Sequence, residues 1–357
     1  MTNRERINAL LHKQPFEGLS WTTLVDWYTL GLLPEELRGN GGIDFYKHLG
    51  CDVLLLDGWN TPHAFASPER RWPEGVEERW HLEGDTTIRE LITPRGTLTS
   101  AHRLAHPVKY PVESLESLRL YRELWEGASY VGHDDTPVLA ALDGLIGEAG
   151  IVTRFWGPST LPLLLETEIG TEQFYYLLAD YPVEMEGLIE TIHEKHREAF
   201  RLLAEGPVEV LILCENTSTY YISPEVYRKY NLPHVEEFCS ISHEAGKVAL
   251  VHMCGHVRDL LQDFKQTGMD GIHALTPPPV GNTPWDEALD ALGEDLVIIG
   301  ILDPATLCMA PVSTLPAALE ALYTPRLREA NFCLWLGADG LPIPQARFEA
   351  VKRLREA

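Results

Sequence analysis

Short apolar runs, each closed by an acid, a glycine or a metal-ligating residue, recur along the chain with amphipathic stretches between them. In order they are LSWTTLVDWY, ending near Asp26, CDVLLLDG (51–58), IVTRFWG (151–157), EVLILCEN (209–216), VALVHMCG (248–255), DGIHAL (270–275), LVIIGILD (296–303) and FCLWLGAD (332–339). Continuous apolar runs of this length, rich in β-branched residues, predict strands buried on both faces of a parallel sheet. The stretches between them, such as 183–206 and 224–247, place apolar residues three and four apart and predict helices. Strand and helix alternating to a count of eight predict a closed (β/α)8 TIM barrel. An open doubly wound sheet fits less well, because no glycine-rich G-x-G-x-x-G turn follows the first strand. Trp80 to Arg103 instead alternates apolar and polar residues around Gly84-Asp85 and Pro94-Arg95-Gly96. It predicts a small antiparallel excursion between the second and third barrel strands. Residues 1–357 are therefore expected to form a single barrel domain with an inserted hairpin region over 72–110.

Charge narrows the partners. The 53 acidic residues against 29 basic ones give a formal charge of -24, which repels phosphate backbones and argues against nucleic acid. The opening MTNRERINALL lacks an apolar signal core, and no stretch stays uncharged long enough to span a bilayer. A soluble, cytoplasmic protein is expected, with no membrane partner. Cysteines at 51, 214, 239, 254, 308 and 333 are too scattered for a disulfide framework, which leaves reduced thiols open to metal binding.

In a barrel the chemistry sits where the strands end. The residues closing the runs are Asp26, Asp57, Trp156, Glu215, Asn216, His252, Cys254, His273, Asp303 and Asp339. His252 and Cys254 are two apart on one strand, so they share a face, and imidazole with thiolate suits zinc. A packed core strand is the simpler account of a lone His-x-Cys; the crowd of ligand-type residues on the same rim favours the metal. A third ligand is sought among Glu215, Cys333 and Asp339. Cys333 is softer but falls early in its strand, so position favours Glu215. Cys214 is expected on the opposite face and His256 at the next helix start. Asp26, Asp57 and Asp303 are candidates for orienting substrate or accepting a proton. Trp59, Trp156 and Trp335 are candidates for walling the pocket, with Asn216, His273 and Asp339 beside them.

RERINALL at the start, YISPEVYRKYNLPHVEEF after the fourth strand, HMCG, GMDGIHAL, LVIIGILDP and the late LGADGLPIPQARFEAV carry a resemblance to the uroporphyrinogen decarboxylase superfamily over essentially the whole chain. True decarboxylases of that family mark strand one with an R-Q-A-G-R-Y-L-P-E motif that grips the substrate's carboxylates. In this chain the stretch reads VDWYTLGLLPEE: L-P-E survives and both arginines are absent. Leu164 and Ala338 stand where those enzymes place a Tyr and a His. The chain looks closer to the zinc and corrinoid methyltransferases, several of which carry His-x-Cys at the end of this strand. Their late G-C-G is replaced by Gly337, Ala338 and Asp339. The resemblance thus implies a zinc-dependent methyltransferase that moves a methyl group between a small methylated substrate or thiol and a corrinoid carried by a partner protein. Its rivals are a metal-free lyase of the decarboxylase type and a non-catalytic corrinoid- or tetrapyrrole-binding protein.

Overall fold

The computed structural model of the chain describes residues 1–57, 61–104, 106–293, 295–337 and 340–356, with side chains to 352. Eight parallel strands form its main sheet: β1 (Ser20–Thr23), β2 (Val53–Leu56), β3 (Gly150–Trp156), β4 (Val210–Cys214), β5 (Val248–His252), β6 (Gly271–Leu275), β7 (Val297–Ile301) and β8 (Phe332–Leu336). From β2 to β8 each strand pairs with the next in the chain, and β8 pairs with β1, Ser20 opposite Cys333 and Thr23 opposite Leu336. The last seam, between β1 and β2, is stitched differently. Asp52 N–H donates to the Trp21 carbonyl at 2.8 Å, and Leu54 N–H donates to Thr22 Oγ1 at 3.2 Å. The result is a (β/α)8 barrel.

Each strand lies within its apolar run, except that β3 starts one residue early at Gly150; Asp26, Asp57, Glu215, Asn216, Cys254 and Asp303 follow the ladder into the turns, while Trp156, His252 and His273 are still within it. The first run departs most. Its strand ends at Thr23, and Asp26 is the N-cap of α2 (Trp27–Leu32), its carboxylate accepting the Thr29 N–H at 2.7 Å. The strand thus stops three residues short of the expected end at Asp26, and capping turns that residue into the start of a helix.

Alternation along the strands sorts the side chains into two layers. Leu54, Ile151, Ile212, Leu250, Ile299 and Cys333 fill the interior, with Ile7 and Leu10 of α1 (Asn3–Leu11) packed among them. Val53, Leu211, Leu213, Val251, Ile298 and Leu334 face outward into the helical layer. Between β2 and β3 the chain makes a four-stranded antiparallel sheet, Glu77–Glu83, Thr86–Thr93, Gly96–Arg103 and His106–Lys109, turning where the Gly-Asp and Pro-Arg pairs predict. A second short antiparallel pair, Glu69–Arg71 with Ser129–Val131, has no forewarning in the apolar pattern. Among the described residues no helix is long and apolar enough to cross a membrane.

Candidate active site at the barrel mouth

On β5 the inward residues are Val248 and Leu250, so His252 and Cys254 continue the inward face while Met253 is buried outward. On β4 the inward residues are Val210 and Ile212, which puts Cys214, half-buried, on the inner face directly beside His252 in the register. Glu215 then faces outward. This corrects the expected placement of both residues: β4 is one residue out of phase with the assumed pattern, and a one-residue shift exchanges the faces. The Glu215 carboxylate is fully buried behind the barrel, where Oε2 accepts from Asn231 Nδ2 and, at 3.2 Å, from Thr217 Oγ1. Burial pushes its pKa up to about 7, against the pull of its hydrogen bonds.

Cys333 is also corrected as a ligand. It is inward but fully buried at the level of Ser20, where β1 begins, and burial pushes its thiol pKa up. Two residues later on the same face, Trp335 is the β8 side chain that reaches the histidines. Its ring lies 4.6 Å from His273 and 6.1 Å from His252, centroid to centroid.

Two polar chains occupy the mouth. In the first, His252 Nδ1 and His273 Nδ1 are 2.7 Å apart, one donating and the other accepting. Phe155 and Trp335 pack against both rings. Burial lowers the His252 pKa to about 4 and holds His273 well below the usual imidazole range, so both rings are neutral near pH 7. His273 is fully buried, and its Nε2 lacks a hydrogen-bond partner.

In the second chain, the exposed Cys254 thiol donates to Asn216 Oδ1 at 3.6 Å, and Asn216 Nδ2 donates to Glu166 Oε2 at 3.3 Å. The Tyr221 hydroxyl donates to the Asn216 carbonyl and lies within hydrogen-bonding reach of Glu166. Burial raises the Glu166 pKa, while the contacts from Asn216 and Tyr221 oppose the rise. Asn216 has φ +46°, a left-handed conformation that asparagine tolerates better than most residues, and it directs the amide between thiol and carboxylate. Gly255 lets the β5 turn approach the β4 turn: a Cβ there would meet the Thr217 carbonyl oxygen at 2.5 Å.

Glu166 escapes the strand-end rule because it sits in a π-helical turn, Leu163–Glu168, beyond β3. Such turns recur at functional sites. Its signal in the sequence is an acid pair, Glu166 and Glu168, set in the otherwise apolar LPLLLETEIG.

The remaining strand-end candidates are already engaged. Asp57 accepts from the Phe155 N–H and pairs with Arg154, whose Nη2 also donates to the Ser67 carbonyl at 2.6 Å. Besides capping α2, Asp26 accepts the Gly340 N–H at 3.1 Å. Asp303 caps α3 (Pro304–Met309), and its second oxygen is buried without a partner. Trp156 does not wall the mouth. It points outward and packs edge-on against His196 and Phe200 of the helix Pro182–Glu205. Trp59 and Asp339 lie outside the described residues.

Among the described residues, no three His, Cys, Asp or Glu side chains come together as metal ligands. His252 and Cys254 share the right face, but the first is turned to His273 and the second to Asn216, and neither Glu215 nor Cys333 can join them. The described residues therefore do not fit a zinc centre with three protein ligands.

The family model for uroporphyrinogen decarboxylase matches residues 107–357. No curated protein matches the sequence. Among solved structures, a methyltransferase from Methanosarcina mazei superposes with a TM-score of 0.62 at 13% identity, covering 100% of this chain and 98% of that one, a likeness of fold. A D-psicose 3-epimerase from Clostridium cellulolyticum H10 gives a TM-score of only 0.34 at 9% identity, over 68% of this chain and 93% of its own.

Proposed function

The chain belongs to the uroporphyrinogen decarboxylase family, and we propose that within it the chain transfers methyl groups between a small methylated substrate or thiol and a corrinoid carried by a partner protein. One observation carries this reading: the mouth has almost no means of holding a polycarboxylate. Arg154 is the one Lys or Arg in the eight barrel strands, and Asp57 and the Ser67 carbonyl already hold it. The segments that follow strands three (157–170), four (215–223), six (276–284), seven (302–310) and eight (337–344) contain no Lys or Arg at all. Arg38, after β1, donates to the carbonyls of Leu33 and Gly31, and Arg258, after β5, to Glu287. A tetrapyrrole bearing many carboxylates needs paired guanidiniums, and this mouth repels it.

What the mouth does offer suits a group whose charge changes on a heteroatom. The methyl group leaves with its bonding pair staying on the donor atom, and the reduced corrinoid on the partner supplies the pair for the new bond. Cys254, Asn216 and Glu166 form a thiol–amide–carboxyl relay on the open side, where Asn216 holds the thiol and Glu166 accepts from Asn216 or from substrate. The neutral His252–His273 pair and Trp335 line the floor and keep it dry. Because the described residues do not complete a zinc site, no step is routed through a metal.

The test is spectroscopic. The protein is mixed with reduced cobalamin and candidate methyl donors, and formation of methylcobalamin is followed by absorbance; uroporphyrinogen turnover is followed in parallel by chromatography. Methylcobalamin formation that falls at least about tenfold in Cys254→Ser or Glu166→Gln supports the reading. Release of coproporphyrinogen at enzymic rates overturns it, and cobalamin binding without any methyl transfer indicates a carrier or binding protein instead.

A further inference from the structure

We infer that the mouth binds a small organic cation, and that the methyl donor is an onium compound, a tertiary or quaternary ammonium, with Glu166 as its counter-charge. The donor part of this inference rests on the methyl-transfer reading; the binding part does not.

Glu166 is a charge without a charged partner. It is half-buried, and its contacts come from the Asn216 amide and the Tyr221 hydroxyl, both neutral. Among the described residues it makes no ion pair, although Arg89 reaches Glu168 only two positions away. A carboxylate taken partly out of water with only neutral donors is costly, and folds usually set a cation beside it. Among the described residues no such cation lies nearby. The segments around Glu166 and Asn216 carry no Lys or Arg, Arg154 is spent on Asp57, and both histidines of the floor are neutral. The undescribed residues 58–60 and 338–339 include no basic residue either. The compensating charge is then left to the ligand.

Two aromatic side chains favour an organic cation over a simple metal ion. Tyr110 and Tyr221 both lie within electrostatic reach of the Glu166 carboxylate. A carboxylate beside phenol rings attracts alkylammonium groups through charge and ring quadrupole together, without the dehydration a small hard ion requires.

Choline and 3,3-dimethyl-1-butanol test this directly, because they match in shape and hydroxyl and differ in the charged nitrogen. Their binding to the full-length protein is measured by titration calorimetry at low and moderate salt. Choline is expected to bind at least about tenfold more tightly, with the preference shrinking as salt rises and vanishing in Glu166→Gln. Equal affinities in the unaltered protein, or no detectable choline binding, overturn the inference without recourse to any variant. So does a preference that survives in a folded Glu166→Gln protein. The two readings fail separately: choline preference without methylcobalamin formation keeps the site and loses the function, whereas methyl transfer from neutral donors with no charge preference does the reverse.

Discussion

Replacing Arg89 by Met is the sharpest test of how the inserted sheet supports the mouth. Arg89 is 7% exposed; its Nε donates to Glu78 at 2.8 Å and its Nη1 to Glu168 at 3.0 Å. Glu168 is 3% exposed and closes the π-helical turn that carries Glu166. Glu78 is partly exposed at the sheet edge, so water can take over when its arginine is lost, and that share of the cost is small. Glu168 has no such recourse. Its Oε2 already lacks a partner, and without Arg89 a buried carboxylate stands uncompensated, which costs about 3–5 kcal/mol. That is a large fraction of the roughly 5–15 kcal/mol typical of a folded domain, so the variant should unfold at a visibly lower urea concentration. Glu168→Gln added to the same protein removes the stranded charge and should return about 2 kcal/mol or more, giving a clearly non-additive double-mutant cycle. Four proteins, compared by tryptophan fluorescence in urea, decide it. Below the unfolding transition the Arg89→Met protein should also lose choline affinity, because the turn that aims Glu166 has lost its anchor. An Arg89→Met variant within about 1 kcal/mol of the original, or strictly additive effects, refutes the reasoning.

Acid stability should report the buried histidines on the helix Pro182–Glu205. Burial holds His196 well below the ordinary imidazole pKa, so as pH falls below about 6.5 the unfolded chain takes up this proton and the folded one does not. Stability present above that pH is lost going down, by about 2 kcal/mol between pH 7 and pH 5 for one such group. His196→Phe should remove that increment from the pH dependence measured by urea unfolding, and an unchanged slope counts against a neutral buried His196. Metal content tests the corrected placements: Glu215→Gln and Cys333→Ala should hold the same zinc as the unaltered protein by elemental analysis, whatever that amount is. A fall in either variant shows that side chain to be a ligand, and an outward Glu215 or a deeply buried Cys333 to be wrong.

The barrel was legible because apolar runs of strand length, separated by helical periodicity, leave few architectures to choose from. Seven of the eight strands fall inside their runs, and the third begins one residue early at Gly150. The face of each residue at a strand's end was less legible, and Cys214 and Glu215 show why. Both are polar or weakly polar at the edge of an apolar run, so local hydrophobicity does not say which lies inside; phase is set by Ile212 further back along the strand and by what the helices offer, in this case Asn231. His252 and Cys254 were easier, since a spacing of two keeps them together whatever the phase. The acids at strand ends illustrate another limit. Asp26 and Asp303 precede helices, and a carboxylate that caps a helix has the same sequence signature as one that meets a substrate. Glu166 was hidden because a π-helical turn has no sequence period to betray it.

Fold and mouth are specified by different residues, so the proposed change of substrate class would leave the family's barrel intact. The interior is closed by Leu54, Ile151, Ile212, Leu250 and Ile299, none of which reaches the mouth polar chains, so the loops can exchange guanidiniums for carboxylates without disturbing the core. The exchange still has an internal cost wherever a charge is buried. Asp57 meets it with Arg154 and Glu168 meets it with Arg89, each by a partner from a neighbouring segment. Glu166 stands between these two solved cases, a few residues from one and across a strand end from the other, and among the described residues it alone of the three has neutral donors only. Had the fold needed only a structural acid there, a glutamine would make the same contact to Asn216 at no electrostatic cost. A carboxylate kept where an amide would suffice, in a mouth cleared of basic residues, is what a site does when its cation arrives with the ligand.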